Sequence, residues 1–153
     1  MNKQILLTSI ATLVGILGST ATLASDSATV AVSATVTGVC KFNSGGSVAF
    51  TLDPSVGGTV NGTVTQPAFW CTKGASYTLS DNKGVNGGGT ATKMKHATLA
   101  DLIPYSLSYT TTGSGSGAGT PISMNIAASV LQADYINASA GSYADTVTLS
   151  ITP

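Results

Sequence analysis

From residue 25 onward the chain repeatedly alternates apolar and polar side chains with a period of two, and this feature restricts its fold more than any other. Such a period puts successive side chains on opposite faces of a β-strand, one face buried and the other wet. "PISMNIAASV" sets Ile122, Met124, Ile126, Ala128 and Val130 against Ser123, Asn125, Ala127 and Ser129. "YADTVTLSIT" sets Tyr143, Val147, Leu149 and Ile151 against Thr146, Thr148, Ser150 and Thr152. "SVAFTL" sets Val48, Phe50 and Leu52 on one face, and further strands are predicted at "AFWCT", "ASYTLS" and "IPYSLSYT". Pro104 has no amide hydrogen, which assigns the last of these to a sheet edge or a bulge. Turn chemistry separates the strands: Asn61 and Gly62, the stretch from Asp81 to Gly89, and the glycine-rich run from Gly113 to Gly119. Helical periodicity is nearly absent after residue 24. Short strands at this spacing predict an all-β, immunoglobulin-like sandwich in one domain.

The first residues follow another rule. Lys3 precedes the apolar run "ILLTSIATLVGILG", which is short for a membrane span, and small residues follow it. Residues 1–24 are therefore expected to be a signal peptide cleaved after Ala24, with Ala21 as the alternative. Export would carry Cys40 and Cys71 into an oxidising compartment, where a disulfide between them is expected.

Charge narrows the function classes. All basic side chains are Lys and all acidic ones Asp, the formal net charge is zero, and only 8% of residues are charged. Such a surface cannot neutralise a run of phosphates, which argues against nucleic-acid binding. With 42% hydrophobic residues the chain has material for a core, and Thr, Ser, Gly and Asn are left to keep its surface wet. No stable membrane insertion is expected.

Catalysis finds little footing. His96, the single histidine, sits in "KMKHATLADL" beside Lys93 and Lys95 and reads as a solvated loop residue, and no GxSxG elbow is present. Asp26, Asp53, Asp81, Asp101, Asp134 and Asp145 lack the spacing of a calcium loop. No metal, cofactor or enzymatic activity is expected. Asn61 and Asn137 match the N-glycosylation triplet, to which no role is given. A carbohydrate-binding adhesin would use exposed aromatics, for which Trp70, Tyr77, Tyr105, Tyr109, Tyr135 and Tyr143 are available, although Trp70 is expected to pack beside the cystine.

The ends pose a structural question. In "SDSATVAVSATVTGVC" the residues Ala28, Val30, Val32, Ala34 and Val36 share one face, with Thr29, Ala31, Ser33, Thr35 and Thr37 opposite. The final pattern closes at Thr152 and Pro153, so its strand offers an edge. Either the opening segment is the first strand of its own closed sandwich, or it completes a neighbouring copy by strand addition.

A resemblance bears on that choice. "VSATVTGVC" before the first cysteine, "FWCTKGASYTLSDNKG" around the second, Lys93 with Met94, and the ending "AGSYADTVTLSITP" resemble the spore coat protein U domain family, which includes major subunits of archaic, Csu-type chaperone-usher pili. The likeness spans essentially the whole chain after the leader. It departs from the family where "GSGSGAGT" replaces a Trp-Gly pair, a difference confined to one loop. The resemblance implies an incomplete immunoglobulin-like sandwich, residues 38–153, with residues 25–37 as an N-terminal donor strand. Its donor positions would be Ala28, Val30, Val32, Ala34 and Val36, and its acceptor edge the strand holding Val147, Leu149 and Ile151. It further implies a periplasmic chaperone, an outer-membrane usher, a homopolymer built by strand exchange, and a place on the cell surface. The alternative is a secreted adhesin or spore-coat component working as a free domain.

Overall fold

The computed structural model describes residues 25–153, so the expected signal peptide lies outside the described residues. The chain divides after Ala34 into two units. In the first, residues 25–34 form no strand, and Val30 and Val32 are 84% and 90% exposed. The second carries all the secondary structure described.

In chain order its elements are β1 (Cys40–Ser44), β2 (Ser47–Ala49), β3 (Val60–Asn61), β4 (Thr63–Thr65), β5 (Ala68–Cys71), β6 (Ser76–Asp81) and β7 (Lys93–His96). There follow β8 (Leu102–Pro104), β9 (Ser106–Ser108), β10 (Thr112–Ser114), β11 (Ile122–Ser123), β12 (Ala127–Val130), a single helical turn α1 (Gln132–Tyr135), β13 (Tyr143–Ala144) and β14 (Leu149–Thr152). The fold is all-β, as expected. Among the described residues four sheets of three strands are ordered β1-β5-β11, β10-β6-β14, β3-β12-β9 and β13-β7-β8, and β2 pairs with β4. The pairings are antiparallel.

Alternation explains which side chains make the core. In β5, Phe69 and Cys71 are fully buried while Ala68 and Trp70 are only half-buried. In β6, Tyr77 and Leu79 turn inward and Ser76, Thr78 and Ser80 face water. These residues join Met124 and Ile126 in one cluster, against which Leu149 and Ile151 of β14 pack. A second cluster forms around Ile103, Val130 and Tyr135, with Phe50, Leu52, Met94, Tyr105 and Tyr143 against it. The Tyr135 hydroxyl, buried with its ring, donates to Gly58 O at 2.8 Å, which satisfies a polar group that would otherwise be stranded.

Cys40 and Cys71 form the expected disulfide, as directly opposed residues of neighbouring strands in one sheet. Trp70 departs from expectation. A residue adjacent to Cys71 in a strand must face the other way, so Trp70 lies opposite Lys41 on the outer face, and Phe69 is the aromatic that shares the cystine's cluster.

Three predicted strands are divided, for one reason: each serves two sheets. "PISMNIAASV" gives β11 beside β5 and β12 beside β9 and β3, with a break where Asn125 takes φ 53°. Gln66 bridges that break, its side chain accepting from Ile126 N at 2.7 Å and donating to Ile126 O at 2.8 Å. "YADTVTLSIT" gives β13 beside β7 and β14 beside β6. "IPYSLSYT" gives β8 and β9, and Pro104 does lie at an edge, because β8 ends its sheet.

Asn61 and Gly62 are not a hairpin turn. The flanking strands β3 and β4 pair with β12 and β2 respectively, and Gly62 N donates to Ala128 O at 2.9 Å. Glycine is required there by proximity, since a Cβ would fall 2.5 Å from Val48 Cγ1 and 2.9 Å from Phe50 Cε1.

Candidate functional site

One feature of the second unit stands out among the described residues: an open groove of about 650 Å³. One part of its lining comes from β1 and β2 and the glycines between them, including Phe42, Gly46 and Val48. Another comes from the stretch 143–149, including Tyr143, Val147 and Leu149. Val64, Met94, Leu107 and Ile126 contribute apolar side chains from other strands. The groove thus opens onto side chains of both core clusters, a surface that water wets at a cost.

The strands beside it are incompletely bonded. Among the described residues β14 ends its sheet and pairs with β6 alone, and β2 pairs with β4 alone. An edge with free N–H and C=O groups beside an apolar trough has the two ingredients that bind an extended segment: a ladder for its backbone and pockets for alternate side chains. Of the predicted acceptor residues, Val147 and Leu149 line the groove, whereas Ile151 packs into the first cluster and is not part of the lining.

The groove's polar members are held in a bonded arrangement. Tyr105 donates from its hydroxyl to Asp145 Oδ2 at 2.8 Å, and its ring packs on Phe50 with centroids 6.2 Å apart. Asp145 Oδ1 accepts from Val85 N and Asn86 Nδ2, each at 3.0 Å. Burial, then the bond to Asp145, pushes the Tyr105 hydroxyl well above the ordinary tyrosine range. Tyr109 is raised the same way, by burial and by its bond to Asp81. Burial alone would raise the Asp81 carboxyl, but the Tyr109 hydroxyl and the Lys83 amide and ammonium outweigh it and hold it below its ordinary 3.8.

These shifts fix a pH dependence on both sides. Asp81 is depressed in the folded chain, so the unfolded chain takes up its proton first, and stability falls as pH drops below 3.8. Tyr105 and Tyr109 are raised, so the folded chain keeps protons that the unfolded chain releases near 10, and stability falls as pH rises past that value. Thermal melts across pH should show both limbs; Asp81→Asn should flatten the acid limb and Tyr109→Phe the alkaline one.

His96 is not the solvated residue its neighbours suggested. It is 7% exposed at the end of β7, with its ring edge-on to Tyr143 at 4.9 Å. Nδ1 accepts from Thr98 N at 3.1 Å and Leu99 N at 3.0 Å, which assigns the ring proton to Nε2, facing Ala140 O. Its work is to close the turn after β7. The tyrosines offered for sugar binding are also committed: Tyr77 and Tyr135 are buried, and Tyr105, Tyr109 and Tyr143 bond through their hydroxyls to Asp145, Asp81 and Ser139 O. Among the described residues no three His, Cys or Asp side chains are grouped to hold a metal ion, and no helix is long and apolar enough to cross a membrane.

Comparison with known families matches residues 26–150 to the Spore Coat Protein U domain. The chain belongs to this family. Among solved structures, this Spore Coat Protein U domain protein is similar to a chain in the crystal structure of the CsuC-CsuE chaperone-tip adhesion subunit pre-assembly complex from archaic chaperone-usher Csu pili of Acinetobacter baumannii, with 18% identity and a TM-score of 0.46. The match covers 76% of this chain and 40% of that one, so the protein spans less than half of its neighbour's length. No curated protein matches it.

Proposed function

We propose that this Spore Coat Protein U domain protein is a structural subunit of a surface pilus, in which residues 25–37 of one copy fill the groove of the next. The single observation that supports this most is the pairing of opposites within one chain: an open apolar groove beside an underbonded edge, and an alternating segment whose valines are exposed. Val30, Val32 and Val36 on the face shared with Ala28 and Ala34 are the residues such a groove would take up. The closed-sandwich alternative would make residues 28–37 a strand of their own sheet, and those residues form no strand.

In this reading the role is assembly and not catalysis. A periplasmic chaperone would shield the groove before assembly, an outer-membrane usher would pass subunits outward, and adhesion and biofilm formation would follow from the polymer. A free adhesin gains no support from the tyrosines, which are spent on internal packing. The test is a denaturing gel of the exported protein run without boiling. A ladder of multimers that collapses to one band on boiling is expected. A single band before boiling, at high concentration, contradicts the proposal.

A further inference from the structure

The stretch joining β13 to β14 crosses from the sheet of β7 to the sheet of β6, and it lines the groove as it does so. Both ends of the crossing are pinned by side chains. At the first, Asp145 accepts from Val85 N, Asn86 N, Asn86 Nδ2 and the Tyr105 hydroxyl, while Asn86 Nδ2 also donates to Ala144 O at 3.0 Å. At the second, Asn82 Oδ1 accepts from Thr148 N at 2.9 Å and Asn82 N donates to Thr148 O at 3.1 Å. Between the pins, Thr146 and Val147 make no backbone hydrogen bond among the described residues.

Unpaired backbone is normally satisfied by a sheet partner or by water, and a loose crossing could relax onto the groove and bury its own apolar side chains. Here the glycine-rich loop packs against the first pin. Gly84 takes φ +75° and lies against the Asp145 carboxylate with no room for a Cβ, which lets the loop backbone reach the carboxylate.

Resting on the acceptor reading above, we propose that Asp145 is a positioning residue: clamped by the loop at Val85 and Asn86 and by Tyr105, it holds Thr146 and Val147 extended and unpaired so that an incoming strand finds its ladder already formed. The occupant is the donor segment, residues 25–37, of a second copy. Preorganisation of this kind lowers the ordering cost of binding and acts on uptake more than on the stability of the empty fold.

The experiment refolds the full chain at low concentration with an excess of labelled peptide of sequence 26–37 and follows peptide retained on an unboiled gel. Asp145→Ala is expected to slow uptake at least tenfold. Asp145→Asn, whose Oδ1 still accepts from the loop amides, is expected to stay within threefold of the parent. Ile103→Val, buried in the second cluster and not part of the groove's lining, is the control for general destabilisation. Uptake by Asp145→Ala equal to the parent, or reduced no more than in Ile103→Val, overturns the proposal. Should Asp145→Ala fail to fold, Tyr105→Phe keeps the ring and removes one bond to the clamp; unchanged uptake in that variant overturns it equally. Failure of the parent chain to take up the peptide overturns the acceptor reading itself. The clamp is then judged by NMR order parameters at Thr146 and Val147, which are expected to fall in Asp145→Ala and whose constancy counts against it.

Discussion

Removal of residues 26–34 is expected to abolish the multimer ladder and leave monomeric or chaperone-held protein. The segment contains Val30 and Val32, each largely exposed, and burying a valine contributes about 2 kcal/mol in addition to the ladder hydrogen bonds of the backbone. A sharper form of the prediction uses the period of two. Val32→Asp would drive a carboxylate into an apolar trough, where an unpaired charge costs several kcal/mol, and should remove the ladder as completely as the deletion. Ser33→Asp puts the same charge on the opposite face and should leave the ladder intact. Loss in both, or in neither, would show that this segment does not enter a groove in the proposed phase. Deletion mutants that still form boiling-sensitive multimers would remove the segment from the mechanism altogether.

Loss of the Cys40–Cys71 disulfide is the second large effect. The bridge closes a loop with a sequence separation of 31, for which the chain-entropy relation gives about 4 kcal/mol at room temperature. With a urea slope of about 2 kcal/mol/M, the unfolding midpoint of Cys40→Ala/Cys71→Ala should fall by about 2 M. The consequence reaches the groove. Cys40 begins β1, which carries Phe42 and Ser44 into the lining, and Cys71 lies fully buried in the first core cluster. Peptide uptake should therefore weaken together with stability, unlike in Asp145→Ala, where uptake falls ahead of it. A midpoint unmoved by reduction or by the double substitution would mean that the sheet of β1, β5 and β11 needs no tether.

Much of the fold was legible from alternation. Met124, Ile126, Ala128 and Val130 were expected on one face, and all are buried although their strand is broken at Asn125. The inward sets of β6 and β14 likewise follow the pattern. The strands at Cys40–Ser44, Val60–Asn61, Thr63–Thr65, Lys93–His96 and Thr112–Ser114 were not anticipated, because they are short and their sequences polar or glycine-bearing. The candidate site was legible in half. Val147 and Leu149 were expected at the acceptor edge, but nothing local announced Phe42, Val48 or Met94 on the same groove, since they come from strands far apart in the chain.

Tertiary contact also reversed two local expectations. His96 follows Lys93 and Lys95 in sequence and is buried in space, because Tyr143 and the amides of Thr98 and Leu99 surround it. Asp145 was one of several scattered acids, and only folding brings Val85, Asn86 and Tyr105 to it. Sequence alone settled the β class, the inward faces of the strands and the pairing of the only two cysteines, because side-chain direction in a strand is a local property and each of two cysteines has only the other to pair with inside the chain. Where a strand leaves one sheet for another, which distant strands share the groove and which polar side chains clamp the crossing beside it were decided only by the folded chain, since each depends on residues that meet across long separations.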